Sequence, residues 1–534
     1  MLDLDTNLYL GFSMRKGRIV DSTALIPAKL LALTWALLPW IAWSSQPACA
    51  QPPAFDPGGL AAVAAIEQAT ISAIGQAEHS VVAIAIVHRE REAQGGFGLP
   101  QDAVGFDGAF SSTDSPDSPD FIPSLFGSGV VISNDGYIVT CAHVLDDPRK
   151  HDYIVWLDKQ SYPARVVGRP AKVLASDPFS DLAVLKIDAI DLTPIAFAEP
   201  GGLRKGQFVI ALGNPHAIAR DGQPSASWGI ISNLKRFAPA DSNAPAATKE
   251  TIHQLGTMIQ TDAKLNLGTS GGALINMRGE MIGLTTSLAA TSGYEQSAGF
   301  AIAVDELFTR AVETLKLGKL PEYGFLGIQP DDLRPFEQER GMSGAKVSVV
   351  IPGLPGDQAG LRSEDIITAV DEQPIENRND LFRELSQAAA GSIVDLRVER
   401  YQPGRRIPEQ LTLQAELSKK FVSSARPGYA INAALKWRGL EVEYTTALSP
   451  ELVRSNFLSG RRSAPKLAAL SVTPDTPAWH AGLRPGYGIH AVNGRAVNSP
   501  DEFHQAINGV DDAVTLTVTQ PDGRQHSLSV AAAN

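Results

Sequence analysis

The chain of 534 residues is too long for one hydrophobic core, so several domains are expected. Its composition, 44% hydrophobic and 19% charged with no collagen-like glycine period, is that of a soluble globular protein. A formal charge of -12 with no clustered Lys/Arg stripe excludes general nucleic-acid binding, which requires neutralised phosphates.

In chain order, Arg15, Lys16 and Arg18 precede an apolar run from Leu30 to Trp43, and then polar residues lead to Ala48-Cys49-Ala50. This order reads as a signal peptide over residues 1–50, cleaved before Gln51, with the run too short for a comfortable bilayer span. The exported chain would then hold no stable membrane span and reside in the periplasm; the alternative is an uncleaved N-terminal anchor. Asp3 and Asp5 fit a signal poorly, which a start at Met14 would explain. If Cys49 leaves with the signal, Cys141 is the only thiol and no internal disulfide forms.

Residues 51–78 form an N-terminal segment, and an apolar β-type run covers 79–87. A long Gly, Ser, Asp and Pro-rich loop follows through residue 120. Short strands are then expected at 129–133, 137–140, 153–157, 164–168, 182–187, 208–212, 229–233, 258–261, 272–276 and 281–286. So many short strands separated by turn residues mean a β-barrel or sandwich. Beyond Val304, the spacing of Leu307, Ala311 and Leu315 predicts a helix that Gly318 and Pro321 close.

Two later segments repeat at constant offset: Gln358-Ala359-Gly360-Leu361-Arg362 with Asp365-Ile366-Ile367, and His480-Ala481-Gly482-Leu483-Arg484 with Tyr487-Gly488-Ile489. Each leads into an amphipathic helix, at 381–385 and 503–507, so two copies of one module are expected, joined by a linker at 418–435.

Ser270 lies in Asn266-Leu267-Gly268-Thr269-Ser270-Gly271-Gly272, where glycines permit a sharp turn that presents one hydroxyl and bares backbone amides. A serine hydroxyl needs an imidazole to take its proton, and that imidazole needs a carboxylate to fix its tautomer. His143 follows an expected strand and Asp181 precedes another, giving the order His, Asp, Ser within one β-rich region. Scattered histidines and the absence of His-Glu-x-x-His or paired-cysteine spacing suggest no metal or cofactor.

Thr140-Cys141-Ala142-His143-Val144, Asp181-Leu182-Ala183-Val184-Leu185-Lys186, Ala211-Leu212-Gly213-Asn214-Pro215 and Gln260-Thr261-Asp262-Ala263 before Gly268-Thr269-Ser270-Gly271-Gly272 together resemble the HtrA/Deg family of serine proteases. The resemblance implies a mainly β fold: a chymotrypsin-like double β-barrel protease domain over 79–316, followed by two α+β PDZ domains over 321–417 and 436–534. It implies that His143, Asp181 and Ser270 form a catalytic triad, with the N–H groups of Gly268 and Ser270 as oxyanion hole. Thr269 and Leu267 stand where the family usually has Asn and often Pro. Lys264, Leu284, Thr285 and Thr286 would border an S1 pocket favouring aliphatic residues. Tyr323-Gly324-Phe325-Leu326-Gly327-Ile328 resembles a PDZ carboxylate-binding loop and its peptide-pairing strand. In the second module Glu441 lies where peptide should pair, which leaves that copy for assembly.

These features point to quality-control proteolysis of unfolded or misfolded polypeptides, with C-terminal peptides captured by the PDZ domains. The loops at 95–120 and 239–251 would relay signals within a homotrimer or a multiple of trimers. A chaperone or scaffold would use the same PDZ grooves without the triad, and an esterase is disfavoured by the lack of a Gly-x-Ser-x-Gly elbow in an α/β pattern.

Overall fold

The computed structural model describes residues 57–88, 125–156, 169–214, 223–237, 251–286, 298–402, 404, 407–423, 428–432, 435–449 and 465–532. The expected signal peptide, the strand at 164–168, the loop at 95–120 and nearly all of the loop at 239–251 lie outside these residues.

The first described element is a helix, α1 (Pro57–Ala77), rich in alanine. Only its last turns contribute to a core, through buried Ala73 and Ala77, while Val63, Ile66 and Ile71 are exposed. With Val63, Ile66 and Ile71 facing outward, α1 carries no core-facing stripe along most of its length, so the sequence offers no periodic signal for it.

Twelve strands then build two barrels. The first comprises β1 (Val81–His88), β2 (Leu125–Val131), β3 (Tyr137–Cys141), β4 (His151–Trp156), β5 (Arg169–Asp177) and β6 (Leu182–Ile187), in the order β5-β4-β1-β2-β3-β6 and closed by β5 pairing β6. The second is a closed barrel of β7 (Phe208–Gly213), β8 (Ser225–Arg236), β9 (Met258–Thr261), β10 (Ala273–Ile275), β11 (Met281–Thr286) and β12 (Gly299–Ala303), in the order β10-β11-β12-β9-β8-β7. Closure removes the edge strands that would otherwise template aggregation. One core cluster runs through both barrels, joining Val139, Cys141 and Val184 of the first to Leu212, Ala273 and Leu284 of the second.

Between strands of the first barrel lies the four-residue helix α2 (Ala142–Leu145). After β12 comes the expected helix, α3 (Glu306–Lys316). Asp305 caps it by accepting from the Phe308 N–H, its buried face carries Leu307, Phe308, Ala311, Val312 and Leu315, and Gly318 at φ +69° ends it.

The two repeated segments build two sheets of one topology. The first holds β13 (Gly324–Phe325), β14 (Ile328–Asp332), helix α4 (Pro335–Glu339), β15 (Ala345–Val350), helix α5 (Pro355–Gln358), β16 (Ile366–Val370), β17 (Gln373–Pro374), helix α6 (Arg378–Gln387), β18 (Ile393–Arg400) and β19 (Glu409–Glu416). Its sheet order is β14-β15-β16-β18-β19, with β17 paired to β16.

Next come β20 (Ser418–Lys419) and β21 (Tyr429–Ala430). The second module follows, with β22 (Leu440–Tyr444), β23 (Leu467–Val472), helix α7 (Pro477–His480), β24 (Gly488–Val492), β25 (Arg495–Ala496), helix α8 (Pro500–Ile507), β26 (Val514–Thr519) and β27 (Gln525–Val530), ordered β22-β23-β24-β26-β27. Even the bulges recur, at Gln329/Pro330 and Glu441/Val442, and at Ile367/Ala369 and Ile489/Ala491. Each module has its own core.

The stretch expected as a plain linker does structural work. β20 pairs with β13, and β21 extends the first barrel's sheet by pairing Tyr429 with Ser176 and Ala430 with Ala175. Lys419 bridges Glu322 at 3.1 Å and Glu443 at 2.5 Å, tying the second module to the root of the first.

Candidate active site

Strand register explains how His143 and Asp181 meet. β3 pairs with β6 so that Cys141 lies opposite Leu182, and one step beyond that pair the two chains turn toward each other. The Ala142 N–H donates to the Asp181 carbonyl at 2.9 Å. Asp181 then accepts twice from His143, from the backbone N–H at Oδ1 (2.9 Å) and from ring Nδ1 at Oδ2 (2.7 Å). Burial works to raise the Asp181 carboxyl, but the charge and hydrogen bonds of His143 hold it below its ordinary 3.8. With Nδ1 donating, the ring's lone pair lies on Nε2, the nitrogen able to accept a proton.

Ser270 comes from the second barrel, in the turn before β10. Gly268 at φ +95° and Gly271 at φ +84° occupy the left-handed region that glycine tolerates. The Thr269 N–H donates to the Asn266 carbonyl (3.1 Å) and the Gly272 N–H to the Thr269 carbonyl (2.9 Å), which winds the turn tightly. Thr269 adds its own hydroxyl to the Asn266 carbonyl at 2.7 Å, so the departure from asparagine keeps the turn closed.

Ser128 of β2 stitches this turn to the first barrel. Its N–H donates to the Ser270 carbonyl (2.8 Å), its hydroxyl donates to the Gly268 carbonyl (2.8 Å) and accepts from the Asn214 N–H (2.8 Å), and its carbonyl accepts from the Thr140 hydroxyl (2.7 Å). A Cβ at Gly271 would lie 2.2 Å from the Ser128 carbonyl oxygen, so this approach requires glycine. From β3, the Cys141 thiol reaches the Thr285 carbonyl at 3.5 Å, and the Thr285 hydroxyl donates to the Thr269 carbonyl at 2.6 Å. The serine turn therefore rests on β2 and β3, at the end of the barrel where α2 carries His143. A hydroxyl, an imidazole and a buried carboxylate on opposite sides of one seam are equipment for acyl transfer.

Behind Asp181 lies a histidine the sequence did not single out. His253, fully buried, places Nε2 3.0 Å from the Ser180 carbonyl and Nδ1 2.9 Å from the Thr257 hydroxyl. A carbonyl only accepts, so Nε2 carries the proton and Nδ1 accepts. Burial lowers the pKa of His253 from its ordinary 6.5. Since the folded value lies below the unfolded one, stability is complete above about pH 6.5 and is lost as the pH falls, at up to ~1.4 kcal/mol per pH unit. His253→Asn is expected to lose less melting temperature than the wild type between about pH 7 and pH 5. Equal losses in a thermal scan would contradict this.

Among the expected pocket residues, Lys264 is exposed, with its N–H donating to the Ser227 hydroxyl at 2.8 Å. Leu284 is fully buried in the core running through both barrels, Thr285 spends its hydroxyl on the serine turn, and Thr286 is buried. Next to Lys264, Leu265 packs against the second barrel's core, and a Cβ on Gly299 would come within 2.9 Å of its Cδ1, so that glycine leaves the leucine its place. The Sγ of Cys141 and ligand atoms of His143 and Asp181 fall within 4.8 Å of one another, but burial keeps the thiol protonated and Asp181 is engaged by His143, which suits proton transfer better than metal ligation.

The residues expected to bind peptide divide. Leu326 and Ile328 enter the first module's core, Gly324 and Phe325 pair with β20, and Gly327 at φ +75° packs against Leu354. Among the described residues β14 pairs only with β15, so its other edge stands open beside α6. Tyr323 is committed elsewhere: it is 1% exposed and its hydroxyl donates to Asp177 of the first barrel.

Residues 127–284 match the trypsin-like peptidase domain and residues 346–400 the PDZ domain. The chain is 32% identical over 404 residues, 74% of its length and 72% of the other's, to a probable periplasmic serine endoprotease DegP-like of Chlamydia trachomatis. It is 29% identical over 450 residues, 83% of its length and 88% of the other's, to the periplasmic pH-dependent serine endoprotease DegQ of Escherichia coli. Among solved structures it is similar to HtrA-type protease AlgW with decapeptide, at 24% identity and a TM-score of 0.44 over 66% of this chain and 98% of that one. With a trypsin-like domain, a PDZ domain and relatives matched over most of their length, the chain belongs to the HtrA/DegP family and is a serine endopeptidase.

Proposed function

We propose that Ser270 is the nucleophile, His143 the general base and then general acid, and Asp181 the group that fixes and stabilises its imidazolium. Ser270 Oγ attacks the scissile carbonyl as His143 Nε2 takes its proton, and the same proton passes to the leaving amine. Water then hydrolyses the acyl-enzyme by the same steps. The N–H groups of Gly268 and Ser270 receive the oxyanion, each worth about 3 kcal/mol of transition-state stabilisation. The observation that carries this reading is the seam itself, in which Ser128 clamps the Ser270 turn onto the barrel that holds the 2.7 Å His143–Asp181 pair. Lys264, Leu284, Thr285 and Thr286 border the S1 pocket, which favours aliphatic side chains.

The working protein comprises a protease domain at 79–316 and PDZ domains at 321–417 and 436–534. The identical strand order of the two modules supports the second PDZ assignment. The open edge of β14 receives an added strand, and the 324–328 segment, without the committed Tyr323, receives a C-terminal carboxylate. In the second copy Glu441 and Glu443 are tied to Ser471 and Lys419, which supports an assembly role. Residues 1–50 are a cleaved export signal, and the mature protein degrades misfolded polypeptides in the periplasm as a homotrimer or a multiple of trimers. Sedimentation as a monomer at working concentration would remove the trimer.

The test of the nucleophile is covalent capture. An organic fluorophosphonate, which phosphonylates activated serines, is expected to add one equivalent to the intact chain, located at Ser270 by peptide mass spectrometry. Labelling at another serine, or none in a folded sample, would overturn the assignment.

A further inference from the structure

Asp181 stands at φ +54°, in the left-handed region that a non-glycine residue occupies only when its surroundings hold it there. Four residues, 178–181, connect β5 to β6, and the grip on this short turn is unusually complete. The Asp177 carboxylate accepts from the Phe179 N–H (3.2 Å), the Ser180 N–H (3.2 Å) and the Ser180 hydroxyl (2.7 Å). The Ser180 carbonyl accepts from His253 Nε2, so the peptide joining Ser180 to Asp181 is anchored at its carbonyl.

A fourth donor to Asp177 arrives from 146 residues away: the Tyr323 hydroxyl. Its ring packs edge-on against Phe179 with centroids 4.6 Å apart, in a small separate core with Ile252 and Leu307. The Tyr323 carbonyl accepts from the Lys420 N–H at 2.7 Å, so the tyrosine is held on its backbone side as well. Burial lifts the Asp177 carboxyl above its ordinary value, and the hydroxyls of Tyr323 and Ser180 oppose that lift.

Resting on the triad reading above, we propose that Tyr323, at the root of the peptide-binding module, is a positioning residue of the protease, holding Asp177 and through it the turn that presents Asp181 to His143. The proteolytic centre is then complete only when the first module's opening residue is docked on the protease domain. Its action is on the transition state, where the imidazolium needs its carboxylate in place, and not on substrate binding.

The test is Tyr323→Phe in the full chain, which removes one oxygen and keeps the ring in its core. The substrate is a short internally cleaved peptide with an amidated C-terminus, so that carboxylate capture plays no part. The expected result is a kcat reduced about tenfold with KM unchanged, the scale of one buried hydrogen bond to a charged group. Asp177→Asn is expected to lower kcat further, and the double variant to match Asp177→Asn alone, because both act through one link. If the wild type cleaves and Tyr323→Phe equals it in kcat, or differs only in melting temperature or KM, the proposal is overturned. Additive losses in the double variant overturn it too. If the wild type cleaves nothing, the reading of Ser270 falls and the proposal with it.

Discussion

Replacing Asp181 by asparagine is expected to lower kcat by about 10⁴-fold while leaving the fold in place. The carboxylate accepts two hydrogen bonds from His143, one from the backbone and one from Nδ1. An amide offers a single acceptor oxygen, and its NH₂ group facing Nδ1 turns the imidazole into the other tautomer. Nε2 then carries a hydrogen and has no lone pair for the serine proton. The imidazolium that forms during attack also loses its counter-charge in a buried site, where that charge is worth most. Steady-state kinetics on a peptide substrate, with circular dichroism to confirm folding, check this. A loss under tenfold would mean that Asp181 does not orient the base.

Ser270→Ala is expected to cost more, about 10⁶-fold in kcat. Without the hydroxyl no acyl-enzyme forms, and the residual rate comes from water attacking a carbonyl polarised by the remaining backbone donors. The turn should survive the change. Its shape depends on Gly268, Gly271 and the Ser128 contacts to main-chain atoms, none of which uses the Ser270 hydroxyl. Unchanged peptide binding with abolished turnover is therefore the expected signature.

The candidate triad could be read from the sequence because each member sits beside a local marker: glycines around Ser270, a strand before His143, a strand after Asp181. The strands at 182–187, 258–261 and 281–286 are found at the residues their apolar runs predict. β12 carries no strand signal because Gly299, Ala301 and Ala303 are small residues that strands usually disfavour, yet Gly299 packs close on Leu265 and Ala301 close on Gly283 of β11.

The supporting groups were hidden for a different reason. Ser128, His253 and Tyr323 make contacts spanning 73 to 146 residues, and long-range polar contacts leave no periodic trace. One signal did exist for Ser128. Glycine on either side of it inside an apolar strand marks close approach: a Cβ at Gly127 would meet Val144 at 2.4 Å, and one at Gly129 would meet Ile138 at 2.7 Å. His253 carries no such signal, since a lone histidine after a loop resembles any solvated one.

Proteolysis by Ser270 is tested most directly by digestion of a permanently unfolded protein by this chain beside its Ser270→Ala variant, with fragments mapped by mass spectrometry. Internal cleavage by the wild type, mainly after aliphatic residues, and none by an equally folded variant is the expected result. Cleavage by both proteins at the same sites, or by neither when C-terminal peptides are supplied, would contradict it.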